Sequence, residues 1–367
     1  MATYRHGAFV DEQATSLVPP VEVASALPFV VGTAPVHRLK DKAAPINEPR
    51  LTAFSYTDNA TEKADEVQLE LQDREGAWHS DWWPAKGTSV VAGLVCSDWF
   101  GAGRGGRLDC GSFTVDEVKY EGPPDKLTIK AVSASLNSEL RDTTRTKGWE
   151  NYTFRDLAAE IAAKNGLKLA YTGDPCPFTR IDQREESDLA FLQRLATERG
   201  ANLKVHDGTI YLFSAKLGDA QSASLTIRRS GDAFSPERFS FEEKSDDTDY
   251  SECSVSYRDP ESGEVNKATF SPEGGGQAGE KPLTINQRVE SLEAALRLGK
   301  AQLRQSNKVG SEGTVDIPGH PDARAGRTVA LTGFGKFDGT WFVETSKHSL
   351  GDGGYRTSLT IRRTLGY

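Results

Sequence analysis

The sequence predicts a mainly β fold with a small α+β insert and an extended N-terminal arm, and three patterns predict it. After residue 50, apolar and polar residues alternate in run after run, as Val67, Leu69 and Leu71 do against Gln68, Glu70 and Gln72, which places one apolar face on a strand. Helical spacing is confined to three segments. Before residue 50 the chain is punctuated by Pro19, Pro20, Pro28, Pro35, Pro45 and Pro49, and proline at that density removes ladder donors and blocks helices.

Length and charge bound the rest. A chain of 367 residues suggests two or three domains, and 37% hydrophobic with 26% charged residues is the composition of a folded chain. A formal net charge of −9 opposes a sequence-independent grip on nucleic acid or an anionic membrane.

Residues 1–50 read as an arm without a core. Its short apolar runs, among them Phe9 with Val10 and Phe29 with Val30, can add main-chain hydrogen bonds to an exposed sheet edge and so are interface candidates. The stretch Ala24 to Val31 is short, is broken by Pro28 and follows Asp11 and Glu12, so neither a secretion signal nor a membrane span is expected.

Residues 51–147 form the first β region, with strands at Val67–Leu71, Val90–Val95, Leu108–Val118 and Leu127–Val132 that close naturally as a barrel or sandwich. In the α/β insert, residues 148–215, Thr153 and Asp156 make a capping box before Leu157, Ala158, Ile161 and Ala162, and Asn165-Gly166 stops that helix. A second helix starts at Ser187, turns Phe191, Leu192, Leu195 and Ala196 inward and stops at Gly200; Asp207-Gly208 then makes a hairpin turn. Residues 216–290 are β-rich, with strands at Leu225–Arg229 and Cys253–Tyr257 and an exposed Gly/Pro loop from Ser271 to Pro282. Residues 291–367 begin with a helix whose stripe is Leu292, Ala295, Leu296, Gly299 and Leu303, then return to strands at Thr328–Leu331, Trp341–Ser346 and Tyr355–Arg362. Ser224–Arg229 and Ser358–Arg363 both read Ser-Leu-Thr-Ile-Arg-Arg, an alternation common to half-buried strands and so a coincidence rather than a duplication.

No catalytic, cofactor or metal residue emerges. Gly101–Gly106 matches G-x-G-x-x-G, but a strand follows it where a dinucleotide site needs a helix, so it reads as a hairpin tip. The run Glu242–Asp249 lacks the ligand pattern of a calcium loop and reads as a solvated acidic loop. Six histidines include no H-E-x-x-H pair and no G-x-S-x-G elbow is present. Glu185 and Glu186 sit at a helix start, where acids suit the dipole. Cys96, Cys110, Cys176 and Cys253 are widely spaced, as free thiols of a reducing compartment are. Trp78, Trp82, Trp83 and Trp99 are contact-surface candidates, since Trp is favoured at interface hot spots; core packing competes with that reading for some of them.

The segment Gln183–Ala196, with Gln183, Glu186, Ser187, Asp188 and Phe191 as its signature, resembles the late control protein D family, the baseplate hub of contractile phage tails. Ser55–Ala60, Ala64–Asp73, Ala325-Gly326, Gly333–Gly335, Asp338-Gly339 and Gly354–Thr357 match the same pattern, so the resemblance covers about residues 51–367. It implies two tube-like β-barrel regions in a non-enzymatic homotrimer within the virion tail baseplate, assembled in the bacterial cytoplasm. The implied partners are a central spike protein, the tail tube or a tube-initiator protein and other baseplate proteins, with no sequence-specific nucleic acid and no membrane. A spike-type hub with lytic activity and a sheath-family assembly component are the alternatives. Tyr4–Gly7, Pro19–Glu22 and Ala26–Pro35 instead resemble the start of a contractile tail sheath protein, which makes sheath a partner through the arm. The junction at Pro49–Leu51 lacks a hub's opening strand, a gap the arm is expected to fill.

Overall fold

The computed structural model describes residues 5–9, 51–61, 63–80, 83–84, 87–101, 104–133, 138–206, 208–244, 250–258, 263–272, 281–289 and 291–367. Strands β1 (Arg5–Phe9), β2 (Leu51–Asn59), β3 (Glu66–Gln72), β4 (Ser89–Ser97), β5 (Gly106–Glu121) and β6 (Lys126–Ser133) lie in the order β1-β4-β5-β6-β3-β2, every pair antiparallel. The predicted alternation holds: Val67, Leu69 and Leu71 are buried, while Gln68 and Glu70 are half-exposed. With Phe54, Leu108, Phe113, Leu127 and Ile129 they make the first core. The glycine-rich segment after β4 leads into β5, a strand, although Ala102 and Gly103 fall outside the described residues.

The insert comprises α1 (Ser138–Asp142), β7 (Thr144–Thr153), α2 (Phe154–Lys164), β8 (Lys168–Thr172), β9 (Pro177–Ser187), α3 (Asp188–Glu198), β10 (Ala201–His206) and β11 (Thr209–Ser214). Thr153 Oγ1 accepts from the Asp156 amide at 3.1 Å, so the predicted cap of α2 forms, and Ser187, where the second helix was expected to start, caps α3 by accepting from the Ala190 amide at 3.2 Å. Strands β10 and β11 form the predicted hairpin; Asp207 lies outside the described residues and Gly208 takes φ +69°, a conformation glycine adopts without strain. Leu157, Ile161, Phe191, Leu195 and Ile210 make a second core. Strands β7 and β9 pair with each other and were not foreseen, because of the residues of β7 only Trp149 is buried and an exposed ribbon carries no apolar alternation.

After α4 (Ala215–Asp219) and β12 (Leu225–Arg228) comes β13 (Arg238–Glu243); then β14 (Tyr250–Arg258), β15 (Val265–Phe270) and β16 (Lys281–Val289) form a small sheet under α5 (Leu292–Asn307). Of the loop expected at Ser271–Pro282, residues 273–280 lie outside the described residues and Lys281 and Pro282 already belong to β16. The acidic run is divided too: Glu242 and Glu243 end β13, and 245–249 lie outside the described residues. The helix stripe needs correction. Ala295, Leu298, Gly299 and Leu303 are buried, whereas Leu292 and Leu296 are 49% and 37% exposed, because close packing of Gly299 on the Cys253 carbonyl and Val255 rotates the contact face toward Leu298.

The C-terminal strands β17 (Ser311–Pro318), β18 (Thr328–Thr332), β19 (Gly339–Gly351) and β20 (Gly354–Arg363) complete a twelve-stranded sheet. Its path continues β2-β19-β20-β17-β13, and β12-β18 branches from β19. The 13 residues of β19 suffice to pair with β18 through Gly339–Phe342 and with β2 through Thr345–Leu350 along one edge. The two regions expected as tube-like barrels carry two cores joined by one continuous sheet, the second built from Ile227, Val315, Val329, Trp341, Leu359 and Ile361.

Candidate assembly surfaces and the joints behind them

The signature segment builds the insert rather than displaying itself. Where β9 turns into α3, Gln183 Nε2 donates to Asp188 Oδ1 and to the Glu186 carbonyl, each at 3.0 Å. Asp188 is buried and faces Lys164 Nζ at 3.1 Å and Arg145 Nε at 3.4 Å. Burial alone would raise its pKa; the Gln183 hydrogen bond and these cations bring it below the ordinary aspartate value. Both Glu186 oxygens accept from Arg194, at 2.8 and 2.9 Å, a bidentate pair. Phe191 is fully buried and stacks on Trp149, so Gln183, Asp188 and Phe191 pack the insert, while Arg184 and Glu185 beside them are exposed.

Polar joints hold the modules together. Lys204 on β10 bonds Asp58 on β2 and lies 3.3 Å from Asp65, which also faces His206 Nδ1 at 3.0 Å. Burial would lower the Lys204 pKa, and the two carboxylates raise it. Gly111, at φ +96°, leaves room for the His206 ring, since a Cβ there would stand 3.1 Å from it. At the far end, buried Asp219 accepts from Arg304 at 2.7 Å, from Arg362 at 2.8 Å and from the Leu365 amide at 3.0 Å, tying α4 to α5, β20 and the C-terminal segment.

Where β2, β19 and β20 meet, the buried His348 ring places Nε2 3.0 Å from Ser346 Oγ and Nδ1 2.7 Å from Tyr355 Oη. Burial, then repulsion from Arg324, lowers its pKa to about 3, so the ring is neutral. No motif marked His348, Asp219 or Lys204 in the sequence, because their partners are distant along the chain.

The tryptophans separate. Trp78 is 1% exposed within the first core and cannot offer a surface; the Asp73 carboxylate accepts its amide and pins its turn there. Trp99 is half-buried, its Nε1 donating to the Gly319 carbonyl at 2.6 Å, so it also serves as internal packing. Trp83 is 47% exposed and retains the surface character expected of it, while Trp82 lies outside the described residues. Of the arm candidates, Phe9 ends β1, which pairs with β4 over Arg5–Phe9; Val10, Phe29 and Val30 lie outside the described residues. An exposed aromatic surface that the sequence reading missed lies on β13, where Phe239, 41% exposed, packs against Phe334 and Phe241. The Phe-x-Phe alternation of Phe239 and Phe241 was its available signal.

The family model described as phage tail baseplate hub (GPD) matches residues 102–354. A probable baseplate hub protein of Escherichia phage 186 is 36% identical over 177 residues, 48% of this chain and 42% of that protein. Its counterpart in Escherichia phage P2 is 34% identical over 190 residues, 49% of this chain and 46% of that protein. The matched part thus spans less than half the length of these curated relatives. The crystal structure of the prophage MuSo2 43 kDa tail protein from Shewanella oneidensis superposes with a TM-score of 0.63 at 17% identity, covering 86% of this chain and 95% of that one, a likeness of fold. With the family model matching well over half of its residues, this chain belongs to the phage tail baseplate hub (GPD) family.

Proposed function

We propose that the chain is a structural subunit of a baseplate hub, a homotrimer that joins the tail tube to the central spike, with other baseplate proteins around it. The observation that carries this reading is the family match across 102–354, a stretch containing the insert, α5 and most of the second core. Its architecture suits a load-bearing part. A continuous sheet crosses both β cores, and charged joints at Lys204 and Asp219 connect the insert and α5 to it. Trp83, Phe239 and the arm strand β1 are the surfaces proposed to meet neighbouring subunits or, for the arm, sheath.

Light scattering coupled to size exclusion tests the proposal. A mass three times that of the 39.9 kDa chain is expected for the chain alone, or three such chains plus the spike when the spike partner is added. A monomer at every concentration with the spike present would count against it, and cell-wall clearing by the purified chain would favour a lytic hub instead.

A further inference from the structure

A cleft of about 180 Å³ opens between the insert and α5, and its lining includes Arg199, Lys216, Arg297, Lys300, Arg304 and Asp174. Arg297, Lys300 and Arg304 project from one side of α5, at the i, i+3 and i+7 positions of a helix. Arg199 follows α3 and Lys216 lies on α4. Three elements, α3 through its C-cap, α4 and α5, thus bring five cations to one hollow with a single carboxylate in its wall, in a chain whose net charge is −9; of the five, Arg304 also holds Asp219 behind the cleft at 2.7 Å.

Several of these cations have unmet capacity. Lys300 is half-buried, its ammonium 5.7 Å from the Phe270 ring centroid, and among the described residues neither it nor Lys216 has a carboxylate within ion-pair distance. Burial, with repulsion from Lys216 and Arg304, lowers the Lys300 pKa, the mark of a charge gathered without its counter-charge. The Nε–H groups of Arg199 and Arg304 are buried with no acceptor, and a buried donor left unmade is costly. The nearest carboxylate to Arg199, Glu198 at 3.6 Å, also serves Arg194. The partner of Arg297, Glu293, is 80% exposed.

We propose that this cleft binds a small multivalent oxyanion of the phosphate class, which bridges the insert to α5. Guanidinium forks and ammonium groups are the donors that hold such an ion, and a bound one would remove the repulsion between α4 and α5. The volume argues for a small ion, since sites for drug-sized ligands usually run from about 300 Å³ upward.

The test uses the full chain, with pyrophosphate as probe and sodium chloride at matched ionic strength as control. Pyrophosphate should raise Tm by roughly 2 °C or more at saturation, and calorimetry should give a single saturable event. Lys300→Gln and Lys216→Gln should each weaken binding roughly tenfold. Neither removes an ion pair, so each variant should fold as the parent does, and Lys119→Gln on β5 should bind normally. A 5′-phosphorylated dinucleotide and its unphosphorylated form separate the sources: binding of the phosphorylated one alone assigns a nucleotide phosphate, and binding of pyrophosphate alone assigns a free ion. No saturable shift, a shift that survives both variants, or selective binding of an acidic peptide instead would overturn the proposal.

Discussion

The two ends of the twelve-stranded sheet are finished in opposite ways. At one end β4, Ser-Val-Val-Ala-Gly-Leu-Val-Cys-Ser, has no charged residue, and its outer edge is covered by β1 through five residue pairs. At the other end β13, Arg-Phe-Ser-Phe-Glu-Glu, is half charged, and among the described residues nothing pairs with its outer edge. An apolar edge strand left open is a template for another chain, whereas charges make a bare edge tolerable. The contrast teaches that edge composition tells which end needs a covering strand, and that Phe239 is an exception set within a protected edge.

Behind both ends the cores should be equally unforgiving. Phe113→Ala in the first and Trp341→Ala in the second, both buried, are each expected to cost about 3–5 kcal/mol in urea denaturation. A large loss in one core only would show that the two halves unfold separately despite their shared strand.

The seam between them should respond to pH. His348 has its folded pKa lowered to about 3, below the ordinary histidine value of about 6.5, so the unfolded chain binds the extra proton between those values. Its contribution is therefore full above about pH 6.5 and is lost as pH falls toward 3. Urea midpoints at pH 7 and 4.5 should differ by about 2–3 kcal/mol of stability from this group, and His348→Gln should flatten the slope.

Deleting residues 1–9 strips the cover from β4. Loss of the β1 ladder should cost on the order of 2 kcal/mol and increase binding of a hydrophobic dye, while full stability and unchanged assembly would mean that β1 is dispensable. The smallest effect on stability is expected at the bare end: Phe239→Ser should change it by less than about 1 kcal/mol. A fall in assembled mass would then identify β13 as a subunit contact.

Some of this was legible in residues alone. The helices α2 and α3 announced their starts and both buried faces, and α2 its cap, because capping and 3.6-residue periodicity act within a few positions of the chain. The strands of the first core announced themselves by alternation, for the same local reason. The signature at Gln183–Phe191 pointed to the family before any geometry, although not to its part in packing the insert.

What the sequence left to the tertiary structure is whatever joins distant segments. The pairing of β2 with β19, beginning at Asn59 and Thr345, joins the strands of the two cores in one sheet, and nothing near either residue signals it. Trp78 and Trp83 are the same residue type five positions apart, yet one is core and the other surface, which no local pattern distinguishes. Asp219 meets Arg304 and Arg362, and Lys300 meets Lys216, only once α5 has docked. Local propensity and periodicity are properties of neighbouring residues and can be read from order alone; burial and the pairing of charges depend on which remote surfaces meet, and only the folded chain decides that.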